Sequence, residues 1–361
     1  MDANGSEAPR PQARAAMLAA LEHAGNPSSV HAAGRAARKL LEDAREVIAA
    51  RFGGQPGDLV FTSGGTEADA LAVHALGVGR RVIIGATEHD AIRAAAPQAD
   101  VLAVDGNGVA DLDALAGLLA EGPALVCLML ANNETGVLHP IEAVAALCRA
   151  HGALLHVDAI QAAGRMAVGR MAVDLAALGA TSLALSAHKL GGPMGAGALL
   201  LAPDLAVRAQ LPGGGQERGR RGGTPALPAI AGFAAAVRAC QPRDLAPLRD
   251  RVAAAARDCG AVDIGAGAVR LGNTLCLGLP GVRSDTQVIA LDMAGVQVSA
   301  GAACSSGKVG RSHVLDAMGL GALAGEAIRI SLPWNVTEDD VERTIAAYQA
   351  MAARLRRGDA A

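Results

Sequence analysis

Aromatic side chains are nearly missing from this sequence: three Phe, one Trp and one Tyr in 361 residues. A core of that size must then be packed from Ala, Leu, Val and Ile, and alanine alone is about a quarter of the chain. Long apolar runs are missing as well. No stretch reaches ~18 residues without a charge, Gly or Pro, which argues against a membrane-spanning helix. Neither sign of charge dominates: 32 basic and 35 acidic side chains leave a net charge of −3. That balance gives no basic footprint for nucleic acid. The six cysteines, at 127, 148, 240, 259, 276 and 304, form no C-x-x-C pair. Neither a zinc clip nor a dithiol redox motif is therefore signalled, and so few cysteines cannot staple so long a chain. The first residues, MDANGSEAPRPQAR, lack the apolar stretch of a secretory signal, so a cytoplasmic location is expected.

Lysine is scarce too. Lys39, Lys189 and Lys308 stand alone among arginines. A chain that uses arginine nearly everywhere keeps lysine where a primary amine of adjustable pKa is needed, as in Schiff-base chemistry, or keeps it by codon bias alone.

Short apolar runs alternate with helix-like runs between about residues 58 and 202. LVFT (59–62), RVIIGA (81–86), VLAVD (101–105), ALVCLML (124–130), ALLHVD (153–158), TSLALSA (181–187) and GALLLA (196–201) read as strands. This alternation predicts a mainly parallel seven-stranded sheet between helices, and strands this apolar fit burial on both faces. Helical patterns over about 11–22 and 31–51 precede it. Residues 212–225 (PGGGQERGRRGGTP) are too polar and Gly-rich for a regular element. Helices near 226–241 and 244–258 follow. A strand over 268–279, a helix near 284–294, a strand at 296–299, a Gly/Ser-rich loop around Cys304, a helix near 311–318 and the strand AIRISL (327–332) predict a smaller α+β unit. A terminal helix starts at a Thr337/Asp340 cap. The expected division is a large domain over 12–245 and a small one from 1–11 and 246–361, the latter carrying the Cys304 loop and Arg329.

Polar residues gather at the ends of the predicted parallel strands, where open α/β sheets bind ligands. Ser63, Gly64, Gly65, Thr66 and Glu67 follow the first strand at a helix start, whose free N–H groups suit a phosphate; a plain helix cap would look the same. Thr87-Glu88-His89, Asn132-Asn133-Glu134, Asp158 with Gln161, and Ser186 with His188 and Lys189 follow the others. An imidazole, a buried carboxylate, amides, a phosphate cradle and one lysine at a single sheet edge are the parts that pyridoxal phosphate needs. No histidine has metal-like spacing, and no metal is expected.

Several blocks now stand in order: GNPSSVH, FTSGGTEADALA, TEHDAI, ANNETGVLHPI, HVDAIQAAG, LSAHKLGGPMGAGALLL, GGGQERGRRGGTPALP, VSAGAACSSG and AIRISL. On these the chain is similar to the cysteine desulfurases of the NifS/IscS type, in the class V aminotransferase group of fold-type I pyridoxal-phosphate enzymes. The resemblance implies Lys189 as the Schiff-base lysine and Cα base, Asp158 as partner of the pyridine nitrogen and Gln161 as contact to the ring hydroxyl. It implies His89 stacked on the ring as an acid/base, and Gly65, Thr66, Ser186 and His188 at the phosphate. Thr224 is implied to reach a second subunit's phosphate, so a homodimer is expected. Asn133 and Arg329 are implied for the substrate carboxylate, with Asn133 also beside the cofactor, and Cys304 for the thiol that takes sulfur from L-cysteine. An iron–sulfur scaffold or sulfur-carrier protein is the implied acceptor. Two other readings stay open: another class V enzyme such as a selenocysteine lyase, and a weakly active partner in sulfur trafficking. The chain departs from the family at its start. Gly5-Ser6-Glu7-Ala8 stands where the family reads Ala-Thr-Thr-Pro, and Glu7, if pointed inward, would repel a substrate carboxylate.

Overall fold

The computed structural model describes residues 1–23, 25–166, 173–301 and 311–358. Cys304 and Lys308 lie outside the described residues. In chain order the elements are α1 (Pro11–Leu21), α2 (Ala32–Arg51), β1 (Leu59–Thr62), α3 (Gly65–Leu76), β2 (Arg81–Gly85), α4 (Asp90–Ala95), β3 (Asp100–Leu102), α5 (Leu112–Leu119), β4 (Ala124–Met129), α6 (Ile141–Ala150), β5 (Leu154–Asp158), β6 (Ser182–Ser186) and β7 (Gly197–Leu201). Then follow α7 (Leu227–Ala239), α8 (Ala246–Asp258), β8 (Val262–Ile264), β9 (Thr274–Gly278), α9 (Ser284–Met293), β10 (Ser299–Ala300), α10 (His313–Ala317), β11 (Ala327–Ser331) and α11 (Glu338–Gly358).

The large sheet has seven strands in the order β1-β7-β6-β5-β4-β2-β3. β3, β2, β4, β5 and β6 run parallel, whereas β7 is antiparallel to both its neighbours. The expectation of a mainly parallel sheet is met. Strand periodicity divides the core between its two faces. Leu59, Phe61, Val126, Leu128, Leu155 and Val157 join one cluster with residues of α2, α5, α6 and α7. Val60, Leu125, Cys127 and Leu199 turn to the other face, against α3 and α4. With so few rings, only Phe52, Phe61, Phe233 and Tyr348 supply buried aromatics.

The second sheet is four-stranded, in the order β10-β11-β9-β8, all antiparallel. Its core joins α8, α9 and α11 through Val252, Leu275, Leu277, Leu291, Ile330 and Val341. The first residues of the chain attach here: Asp2 pairs in parallel with Ser331, and the Ala3 N–H donates to the Ser331 carbonyl at 3.1 Å. The 212–225 segment, read as irregular, carries one short 3₁₀ turn, Gln216–Gly219. Glu217 anchors it: its carboxylate accepts two bonds from the Arg45 guanidinium at 2.8 Å and one from the Phe61 N–H at 2.9 Å.

Among the described residues no helix is long and apolar enough to cross a membrane.

Candidate functional site

The carboxyl ends of β4, β5 and β6 open with the start of α3 into a cavity of about 300 Å³. Gly65, Thr66, His89, Asn133, Asp158, Gln161, Ser186, His188, Lys189 and Arg329 all line it. These are ten of the twelve residues expected at the site on sequence grounds; the other two are Thr224 and Cys304.

The strands explain the convergence. Asp158 is the last residue of β5 and Ser186 the last of β6, so each side chain emerges where the ladder stops. Lys189 follows within one 3₁₀ turn, Ala187–Lys189. The Lys189 ammonium is held by the carbonyls of Asn4 and Gly5, the latter at 2.7 Å. Its place in the cavity therefore depends on the first residues of the chain as well as on β6. His89 caps α4, its Nδ1 accepting from the Ala91 N–H at 3.1 Å. Arg329 sits mid-strand in β11 and crosses from the second sheet into the cavity.

Burial shapes the electrostatics. The Asp158 carboxyl is pushed up to about 7, first by burial and then by the Asp69 carboxylate; the Ile160 N–H, His89 and His156 pull the other way. Asp69 lies one turn into α3 and is raised to about 8 by burial. His156, two residues before Asp158 and on the same face of β5, links Asp69 Oδ1 at 3.1 Å and Ser182 Oγ at 2.8 Å. All three side chains are fully buried. Burial lowers His156 to about 4. His188 is also lowered to about 4, by burial and then by Lys189 and Arg165. Sequence reasoning did not single out Asp69; its place three residues after Thr66, on one helical face, is the signal that points to it.

Glu7 does not point into this cavity. Its carboxylate accepts from the Trp334 N–H at 3.3 Å and faces Arg165 at 3.5 Å. It borders a separate cavity of about 30 Å³, together with Arg10, Arg165 and Trp334, to which Lys189 also contributes. The repulsion of a substrate carboxylate that an inward Glu7 would cause is thus absent. Arg165 and Asn4 were missed on sequence grounds. The Arg165 guanidinium bonds Asn4 Oδ1 at 2.8 Å and the Ala3 carbonyl at 2.8 Å, and also bonds Gln161 Oε1. Asn4 bridges the Asn133 carbonyl and Thr274. Arg165 belongs to no motif with a recognisable spacing, and Asn4 stands just before Gly5–Ala8, where the chain departs from the family.

Thr224 is exposed and does not line the cavity of its own chain. It borders another recess with Ser63, Glu217 and Arg221. Among the described residues no cluster of His, Cys, Asp or Glu could hold a metal ion.

The residues present fit pyridoxal phosphate. Gly64 precedes α3 without a side-chain cap, so the first N–H groups of that helix are left for an anion. Ser186 Oγ is buried without a partner among the described residues, as a hydroxyl reserved for a ligand would be. A Cβ on Gly65 would lie 2.2 Å from Ile160 Cδ1, so a larger residue there would have to push the tip of Ile160 aside. A buried carboxylate faces the cavity from β5 and a primary amine from the turn after β6, the two groups needed at opposite sides of the cofactor ring.

Residues 2–344 match the class-V aminotransferase family. The chain is 38% identical to a cysteine desulfurase of Cereibacter sphaeroides, over 99% of this chain and 96% of that one. It is 36% identical to the cysteine desulfurase IscS of Serratia proteamaculans, over 92% and 86%. Among solved structures, a NifS-like protein from Rickettsia africae matches with a TM-score of 0.88 and 30% identity, over 98% of each chain.

Proposed function

The chain belongs to the class-V aminotransferase family as a cysteine desulfurase of the NifS/IscS type, and from that premise we propose how its own residues perform the reaction. The observation that carries the proposal is the single cavity shared by Lys189, Asp158, His89, Ser186, the start of α3 and Arg329. Pyridoxal phosphate, when bound, supplies an electron sink for the charge left on the substrate Cα. Ser186, Thr66, His188 and the N–H groups opening α3 would hold its phosphate. Asp158 would keep the pyridine nitrogen protonated, Gln161 would bond the ring hydroxyl, and His89 would serve as an acid/base beside the ring. Lys189 Nζ would be the covalent anchor and the base for the Cα proton. Arg329, with Asn133, orients the carboxylate of L-cysteine.

Cys304 supplies the nucleophile. Its thiolate attacks the substrate Sγ, a new S–S bond forms, and the Cβ–S bond breaks with its electron pair left on Cβ. Protonation of Cβ and return of a proton to Cα give alanine, and the persulfide stays on Cys304. A thiol acceptor then takes the outer sulfur; an iron–sulfur scaffold or a sulfur-carrier protein is the proposed recipient. The exposed position of Thr224 supports a homodimer in which it completes the second copy's phosphate seat.

The test is an incubation of the cofactor-loaded protein with L-cysteine and a thiol reductant, measuring alanine and sulfide together. Equal amounts over many turnovers are expected; alanine without sulfide, or neither product, sinks the proposal.

A pH dependence follows from the raised Asp158 carboxyl. Asp158 must be ionised to hold a protonated ring nitrogen. Because its pKa is raised to about 7, cofactor binding to the apoprotein should weaken as pH falls from 8 to 6. Asp69→Asn removes the second cause of that rise, after burial, so its binding curve should move modestly to lower pH. Titrations with pyridoxal phosphate, followed by absorbance at several pH values, check both; an Asp69→Asn curve identical to the parent's refutes this account.

A further inference from the structure

Arg329 is 2% exposed, and the way its guanidinium is occupied has a consequence for substrate binding. Nη1 donates to the Asn133 carbonyl at 3.1 Å and Nη2 donates to Asp2 Oδ1 at 2.7 Å. Nε has no partner among the described residues. Arg329 lines the cavity, but Asp2 does not. A carboxylate of the protein thus already stands on the group that is read as the seat of the substrate's carboxylate.

The backbone fixes Asp2 there. Its pairing with Ser331 lies two residues beyond Arg329 on the same strand. The Ser331 N–H donates to the Met1 carbonyl at 2.9 Å, and the Gly5 and Ser6 N–H groups donate to the Asp2 carbonyl at 3.0 and 3.3 Å. Gly5 leaves room for the acid: a Cβ at that position would lie 2.6 Å from Asp2 Oδ2 and 3.0 Å from its Cγ.

We propose that Asp2 is a standing counter-ion on Arg329 that shares the guanidinium with the incoming substrate carboxylate and so sets the affinity for amino-acid substrates. This rests on the reading of Arg329 as the carboxylate seat. An approaching carboxylate meets a neutralised pair, with one engaged N–H on each Nη, rather than a bare cation offering an open fork. Like charges gathered on one guanidinium oppose each other, most strongly where water is excluded. The two partners differ in freedom: the Asp2 side chain is 33% exposed and that of Arg329 is 2% exposed. Asp2 can turn toward water when substrate binds, whereas Arg329 cannot leave.

Asp2→Asn keeps the acceptor oxygen that orients Arg329 and removes the charge. It should lower the KM for L-cysteine about tenfold, leaving kcat within about twofold. The dissociation constant of L-alanine, read from the visible absorbance of the cofactor without turnover, should fall by the same factor. Cysteamine has the amine and thiol but no carboxylate, and its binding should not change. Gly5→Ala crowds the Asp2 carboxylate and should shift KM in the same direction by less. An unchanged or raised KM in Asp2→Asn, with a parental melting temperature, overturns the proposal. Arg329→Lys separates the two levels. If it leaves the KM for L-cysteine unchanged, the carboxylate seat is elsewhere and both readings fall. If it raises that KM while Asp2→Asn does not lower it, only the role of Asp2 falls.

Discussion

Lys189→Ala is expected to abolish turnover of L-cysteine, by at least ~10⁴-fold, since it removes both the covalent anchor and the base at Cα. No other lysine competes among the described residues. Lys39 lies on the surface of α2, paired with Asp43 at 2.8 Å, and does not line the cavity. Arginine, which this chain uses almost everywhere else, cannot substitute because its guanidinium stays protonated. Lys189→Arg is the stricter variant. It retains a cation for the Asn4 and Gly5 carbonyls, so it tests whether the amine or merely the charge is needed. Both variants should lose the absorbance band of the covalently attached cofactor, and both should be inactive in the alanine and sulfide assay. Turnover within tenfold of the parent in either variant would remove Lys189 from the chemistry.

Cys304→Ser is expected to form neither sulfide nor alanine at a measurable steady rate, while keeping the cofactor and its colour. Serine matches the thiol in size but its oxygen is not a nucleophile toward sulfur at neutral pH, so the step that breaks Cβ–S has no partner. The other cysteines are poor replacements. Burial pushes the thiols of Cys127, Cys240 and Cys276 up, and that of Cys148 up to about 11, so they stay protonated and inert. Cys259 is half-buried at the end of α8, and Cys259→Ser should turn over normally. Mass spectrometry after one round with L-cysteine should show one added sulfur on the parent and none on Cys304→Ser. A full rate in Cys304→Ser would mean that the sulfur leaves without a protein thiol.

Much of the fold was legible from local pattern, and the misreadings share a cause. β4, β5, β6 and β11 appear within a residue or two of the apolar runs that predicted them, because strands buried on both faces leave continuous hydrophobic sequence. The Thr337/Asp340 cap is formed as read, with Asp340 accepting from Thr337 at 2.7 and 3.0 Å. The run 101–105 is strand only to Leu102, because Asp105 Oδ1 accepts from the Asn107 and Val109 N–H groups and turns the chain. The run 268–279 is strand only over Thr274–Gly278, with Arg270 making a lone bridge to Val137. The strand expected at 296–299 is the two-residue β10, Ser299–Ala300. β8, Val262–Ile264, went unread: it is an edge strand of three residues whose Asp263 is tied to Arg270 and Arg257. In each case a contact distant in sequence, or a side chain bonding its own backbone, outweighed the hydrophobic pattern.

The sequence by itself determined the alternation of strand and helix, the Gly-rich start of α3, and the residue types at the strand ends. These are local properties, set by periodicity, backbone freedom and the chemistry each side chain carries. Only the tertiary structure decided which of them meet. It brought the Asn4 and Gly5 carbonyls onto Lys189, turned Glu7 away toward Arg165 and Trp334, set Asp69 and His156 behind Asp158, and laid Asp2 on Arg329. Asp2 and Arg329 are 327 residues apart in the chain; no spacing rule encodes their contact. It arises because the first residues pair with Ser331 at the end of β11, and packing of the whole chain sets that register.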